Sequence, residues 1–195
     1  MDFKYPDGAT PLDPDEMEGL KFAHIETRGE LDQLEQQNIQ DGYKWLSQQR
    51  KYKTFVHEDF IKTLHEKLLG EVWSWAGQFR LTEKNIGIDP IHIPVELRNL
   101  LEDVKAWLEY GTYEREEFAA RLHHRLVKIH LFANGNGRHA RIFTDVILEK
   151  EMSVAPINWD TNSLSSDGEH RDRYINALRA ADKNDYKSLI EFVSN

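Results

Sequence analysis

The sequence contains no cysteine, so no disulfide can hold the fold and no thiol can serve as nucleophile or metal ligand. No apolar run approaches the roughly 20 residues that a membrane-spanning helix needs, which excludes a helical membrane protein. The opening Met1-Asp2-Phe3-Lys4-Tyr5-Pro6 lacks the basic-then-apolar layout of a secretion signal, and a cytoplasmic location is expected. Positive charge is scarce: 25 Lys and Arg stand against 34 Asp and Glu, a net charge of −9. Broad binding to DNA or RNA rests on Lys and Arg at the phosphates, so that class is excluded too. A small anion site is not, because several positive charges converge between residues 121 and 141. What remains is a chain of 195 residues, 39% hydrophobic and 30% charged. That balance suits one well-packed core. The sequence does not set the oligomeric state.

Most of the chain reads as helix. Asp13-Pro14-Asp15-Glu16 combines a capping residue, a first-turn proline and a reaching glutamate, and Gly19 predicts a short helix. Thr27-Arg28-Gly29-Glu30 is a second capping box, followed by a stripe of Leu31, Leu34, Asn38 and Trp45. Phe60, Ile61, Leu64 and Leu68 mark a helix from about Glu58 to Gly70. Ile86, Ile88, Ile91 and Ile93 surround Gly87, Asp89 and Pro90, which predicts a hairpin over 85–94, with a plain connecting loop as the alternative. Further helices are expected over 95–110, from a Thr112 cap to about Leu131, and from about Arg138. Two more follow, one capped by Ser166-Asp167-Gly168-Glu169 and one through Tyr186 and Val193. The expected class is all-α with one small β-hairpin.

The chemistry concentrates in His130-Leu131-Phe132-Ala133-Asn134-Gly135-Asn136-Gly137-Arg138-His139-Ala140-Arg141. Gly135 and Gly137 can take positive φ, so that successive N–H groups turn toward an anion. The loop then opens a helix whose first N–H groups and positive dipole end favour phosphate. Arg138 and Arg141 share one face of that helix, and arginine binds phosphate oxygens bidentately. A di- or triphosphate is the natural guest. His130 ends the preceding helix, and its imidazole can take a proton from an attacking hydroxyl near neutral pH. Phe132 anchors the loop in the core. A base beside a phosphate cradle points to transfer of a phosphorus centre to an alcohol.

The ordered set His130-x-Phe132-x-x-Gly135-Asn136-Gly137-Arg138-x-x-Arg141 resembles the signature of the Fic family of protein adenylyltransferases. Trp75-Ala76-Gly77 and Tyr174-Ile175-x-Ala177-Leu178 are similar to family members as well. The opening, Gly8 to Asp13 and Thr27 to Leu31, resembles the branch called mobile mystery protein B. The resemblance implies a Fic-type helical bundle over residues 55–195 behind an N-terminal helical extension, 1–54. It implies transfer of AMP from ATP, with Mg²⁺ or Mn²⁺, to a Ser, Thr or Tyr hydroxyl of a protein target. His130 would be the general base. The nucleotide phosphates would lie on the Phe132-to-Arg141 segment, cradled by Gly135, Asn136 and Gly137 and held at the outer end by Arg138 and Arg141. Ile86, Gly87, Ile88 and Asp89 would form a flap that aligns the target by strand addition.

Two positions depart from the family's pattern. Asn134 stands where most active members carry a metal-binding Asp or Glu, and a neutral carbonyl holds a hard cation less tightly. A nucleotide-binding regulatory protein without turnover is therefore the alternative reading. Many members are restrained by a glutamate that pairs with the second motif arginine. Glu18-Gly19 matches the end of that inhibitory pattern, although Pro14 replaces its Ser or Thr, and Glu18 is expected to pair with Arg141. A third reading, a metal centre built from His123, His124, His130 and His139, lacks a carboxylate to complete it.

Overall fold

Capping boxes fix where the first two helices begin. The computed structural model describes residues 13–25, 27–49, 54–159 and 168–194. The α-helices among them are α1 (Pro14–Met17), α2 (Arg28–Ser47), α3 (Glu58–Leu69), α4 (Ile93–Tyr110), α5 (Arg115–Ile129), α6 (Asn136–Lys150), α7 (Glu169–Ala181) and α8 (Lys187–Val193). At the start of α1 the Asp13 N–H donates to the Glu16 carboxylate at 2.9 Å. At α2 the Thr27 hydroxyl accepts the Glu30 N–H at 3.3 Å, while the Glu30 carboxylate accepts the Thr27 N–H at 2.9 Å. Both predicted capping boxes form. The cap residues Ser166 and Asp167, and the stretch from Gly8 to Leu12, lie outside the described residues. None of the described helices is long and apolar enough to cross a membrane.

The core is built on α3, whose Phe60, Ile61, Leu64 and Leu68 are all buried. On one side lies α2, at a separation that only glycine allows: a Cβ on Gly42 would stand 2.8 Å from the Leu68 side chain and 2.9 Å from the Lys67 carbonyl. Asn38, on the same face of α2, closes the end of α3. Its carboxamide donates to the Lys67 carbonyl at 3.0 Å and accepts the Glu71 N–H at 2.9 Å. Such a cap meets carbonyls and amides that the helix end leaves unpaired. On the other side lie α5 and α6, with Phe143 of α6 against Phe60. The N-terminal segment is stitched to this body by an isolated antiparallel bridge between Leu20 and Trp73.

The hairpin expected over 85–94 does not form, and none of the described residues belongs to a strand. Residues 82–89 make an irregular loop, Pro90–His92 a single 3₁₀ turn, and Ile93 already begins α4. Two causes are visible. The Thr82 and Ile88 carbonyls, which a ladder would use, accept N–H groups of Arg80 instead. The Asp89 side chain accepts the Ile91 N–H at 3.0 Å and so caps the 3₁₀ turn. The isoleucines therefore divide: Ile93 is fully buried in α4, whereas Ile91 is 74% exposed. Helix α6 also begins two residues before the expected Arg138, because Gly135 sits at φ 76 as its N-cap. In the same way α5 begins at Arg115, beyond the expected Thr112 cap.

Candidate active site

His130 is the C-cap of α5 and adopts the left-handed conformation, φ 57 and ψ 66. A side chain in that region costs about 1–2 kcal/mol, so the neighbouring structure must hold it there. The turn buries the imidazole. Its Nδ1 lies 3.3 Å from the Val127 carbonyl. A carbonyl can only accept, so the proton sits on Nδ1 and Nε2 is the basic nitrogen. Burial is the largest influence on its titration and pulls the pKa down to about 4, with the Arg80 and Lys84 cations adding to the shift. At neutral pH the ring is uncharged.

Beyond His130 the loop is locked from within. The Asn136 carboxamide accepts the Phe132 N–H at 2.9 Å and donates to the Phe132 carbonyl at 2.7 Å. Asn136 thus serves the loop through its side chain, and only its backbone N–H is left to meet an anion. Phe132, expected within the nucleotide site, is fully buried. It anchors the loop by stacking on His65 with ring centroids 3.7 Å apart. His65 is a residue the sequence reading missed. Its Nδ1 accepts the Gly77 N–H at 3.0 Å, which places the proton on Nε2, 3.0 Å from the Asn134 carbonyl. Burial holds His65 neutral, well below the usual histidine range.

The anion cradle takes shape at the start of α6. Its first intrahelical bond runs from the His139 N–H to the Gly135 carbonyl at 2.9 Å. The N–H groups of Asn136, Gly137 and Arg138 precede it and have no partner inside the helix. Arg141 lies one turn on, with a guanidinium nitrogen 3.7 Å from where a Cβ on Gly137 would stand. Arg141 is only 9% exposed, it bonds to Tyr174, and its buried Nε–H has no hydrogen-bond partner among the described residues. Asp145, four residues on, is turned away and accepts the Ile157 N–H and the Trp159 indole N–H, each at 3.0 Å. Its burial raises the Asp145 pKa to about 6. Asn134 turns its Oδ1 onto the Gly135 N–H at 2.6 Å.

The expected Glu18–Arg141 pair is not formed. Glu18 is exposed at the C-cap of α1. That helix is fastened elsewhere: Lys84 pairs with Asp13 at 2.7 Å and with Glu16, and the Trp75 indole donates to the Glu16 carbonyl at 2.9 Å. The carboxylate that reaches a motif arginine, Arg138, is Glu35 of α2. It bonds Arg138 at 2.7 Å and also accepts the buried Trp73 indole N–H at 2.8 Å. A charged residue on the buried stripe of α2, four after Leu31, was the available signal.

The flap residues do come to the base. A Cβ on Gly87 would lie 2.6 Å from the Cβ of His130, and Gly87 has φ 106. The loop thus rests on His130 through a residue without a side chain. Ile86 is exposed and Ile88 packs on the core. The other histidines disperse. His123 bonds the Tyr174 hydroxyl, His124 the Tyr186 hydroxyl and Asp182, and His139 the Ile61 carbonyl. No common centre joins them.

Known proteins are similar to this chain. The description "Fic/DOC family" matches residues 55–148. The protein adenylyltransferase Fic of Aedes aegypti is 26% identical over 145 residues, 72% of this chain and 28% of that protein. The Drosophila melanogaster protein of the same name is 27% identical over 139 residues, 69% of this chain and 27% of that protein. The chain therefore spans little more than a quarter of the length of these relatives. Among solved structures, BepC of Bartonella tribocorum with bound AMPPNP has a TM-score of 0.71 at 15% identity, over 93% of this chain and 96% of that one. Fic-1 of C. elegans has a TM-score of 0.68 at 22% identity, over 90% of this chain and 51% of that one. The match gives residues 55–148 as a Fic/DOC family domain, and the helical bundle and the His130-to-Arg141 motif agree with it.

Proposed function

We propose that the chain is a nucleotidyltransferase that moves AMP from ATP to a Ser, Thr or Tyr hydroxyl of a protein target. One observation carries the reading. The buried Nε–H of Arg141, which has no partner among the described residues, lies beside the N–H groups that open α6, in the motif that starts at a neutral His130. An unpartnered buried donor costs about 1–3 kcal/mol, and a phosphate oxygen is the acceptor that this electropositive corner favours. Relatives named protein adenylyltransferase support AMP as the transferred group.

In this reaction the target hydroxyl oxygen forms a bond to the α-phosphorus. The bond from that phosphorus to the bridging oxygen breaks, and pyrophosphate leaves. The hydroxyl proton passes to His130 Nε2. A triphosphate nearby favours the imidazolium and so raises the low basicity of the buried ring. The N–H groups of Asn136, Gly137 and Arg138, set by the Gly135 turn, cradle the phosphates, while Arg141 and Arg138 hold their outer oxygens. Mg²⁺ or Mn²⁺ neutralises phosphate charge when bound. The donor set fits a cation carried on the triphosphate, since Asn134 offers one neutral oxygen that already accepts the Gly135 N–H. The loop from Ile86 to Asp89 presents backbone to the target segment above His130.

We also assign the restraint on activity to Glu35 rather than Glu18. Its ion pair occupies Arg138, which must be released before Arg138 can hold phosphate. The test of transfer is incubation of the protein with α-³²P-ATP, Mg²⁺ or Mn²⁺ and candidate target proteins, beside His130→Ala. Label on protein that disappears in His130→Ala is expected. ATP binding without label under either metal would instead favour the regulatory reading that Asn134 suggests.

A further inference from the structure

Arg80 is 3% exposed, and the carboxylates that act on its charge, Asp89, Glu16 and Glu83, do so without a salt bridge among the described residues. A buried cation is costly unless something compensates it. Here backbone carbonyls do. Nε donates to the His130 carbonyl at 2.6 Å, Nη1 to Thr82 at 2.8 Å, and Nη2 to Ile88 and, at 3.4 Å, to Ile129. The Arg80 backbone N–H adds a bond to the Leu131 carbonyl at 3.0 Å. The Ile129 and His130 carbonyls end α5, where the helix dipole is negative and the last acceptors lack partners. The other two carbonyls stand at either end of the 82–88 loop.

We propose that Arg80 is a positioning residue that fixes the spacing between the flap loop and the His130 backbone. A guanidinium is a rigid planar fork, so the separations of its N–H groups are copied onto the carbonyls they bind. The same fork holds His130 in its left-handed turn, which aims the imidazole. Gly87 completes the unit. A Cβ there would also meet Arg80 Nη2 at 2.7 Å, so the loop closes on Arg80 and His130 together. Among the described residues, the Arg80 hydrogen bonds go to the Ile129, His130, Leu131, Thr82 and Ile88 carbonyls and none reaches the Gly135–Arg141 cradle. Its loss should therefore separate base and flap geometry from nucleotide binding. The proposal rests on the reading of His130 as base for its catalytic consequence, but not for its structural one.

The full chain is compared with Arg80→Lys, which keeps the charge and loses the fork, and with Arg80→Gln. Three quantities are read: amide hydrogen exchange, ATP affinity by calorimetry, and label transfer from α-³²P-ATP. In Arg80→Lys, exchange of amides 82–88 and 130–132 should quicken about tenfold or more while α3 stays protected. ATP affinity should hold within about twofold while transfer falls about a hundredfold, the scale of a misplacement near 1 Å. Unchanged exchange over 82–88, or equal loosening of α3 and α6, would overturn the proposal. So would a fall in ATP affinity as large as the fall in transfer. If the wild type transfers no label, the proposed reaction fails, while exchange and ATP affinity still decide the role of Arg80.

Discussion

Glu35 bridges the half-buried Arg138 and the buried Trp73: one oxygen lies 2.7 Å from Nη1 of Arg138 and the other 2.8 Å from the indole nitrogen of Trp73. The two contacts answer differently to substitution. Glu35→Gln keeps an oxygen for the Trp73 N–H and removes the charge from Arg138. We expect label incorporation from α-³²P-ATP to rise about tenfold, with a melting temperature close to wild type, since an amide still satisfies the indole. Glu35→Ala strands the indole and should be less stable by about 1–3 kcal/mol. Equal labelling by wild type and Glu35→Gln would remove the restraint from Glu35.

Gly87 gives a second, independent test of the flap. A methyl there is crowded by His130 and Arg80, and φ 106 is a conformation that side chains avoid. Gly87→Ala must lift the loop from His130. Transfer should fall about a hundredfold, as for other misplacements of a reacting geometry. Because Gly87 is exposed, the stability loss should stay near about 1–2 kcal/mol. Full activity in Gly87→Ala would mean that the loop does not act on the base.

How much of this was legible in the sequence depends on the range of each contact. The capping boxes at Asp13 and Thr27, the stripes of α3 and the break at Gly135 are local, and they read correctly, whereas Gly137, expected to take positive φ, is already helical in α6. The hairpin failed for a long-range reason: the loop's carbonyls are taken by Arg80, a competition that the Ile alternation cannot reveal. Glu35, His65 and Arg80 act on partners 103, 69 and 50 residues away. Nothing in their immediate neighbours names those partners. Glu18 was selected by its local match to a pattern, but α1 is pinned to Lys84, and α2 carries the carboxylate that reaches the motif.

Lys84 is a buried latch between α1 and the flap, with its side chain 3% exposed and Asp13 and Glu16 as partners. Removing one member of a buried pair costs about 3–5 kcal/mol. Asp13 is 45% exposed, so water relieves part of that penalty, and Lys84→Met should lie below the range. Amide exchange over 13–21 should accelerate more than exchange in α3. Uniform protection in the variant would show that α1 is held by Trp75 and the Leu20–Trp73 bridge alone.

The buried histidines make stability depend on pH in a direction that can be worked out. The pKa of His130 and of His139 is lowered to about 4 by burial, and burial also lowers His65 and His123 well below the usual value. An unfolded histidine takes up its proton near about pH 6.5, so between that value and 4 the unfolded chain binds more protons. Stability is then fully present above about pH 6.5 and falls as pH drops toward 4. Asp145 opposes this, because a pKa of about 6 lets the folded chain bind a proton first. His124 is lowered by burial as well, and one carboxyl against five imidazoles leaves the histidines dominant. The urea midpoint should therefore be lower at pH 5 than at pH 7.5, and His139→Gln should flatten the difference. A midpoint that holds or rises on acidification would mean that these rings are not buried in the neutral form.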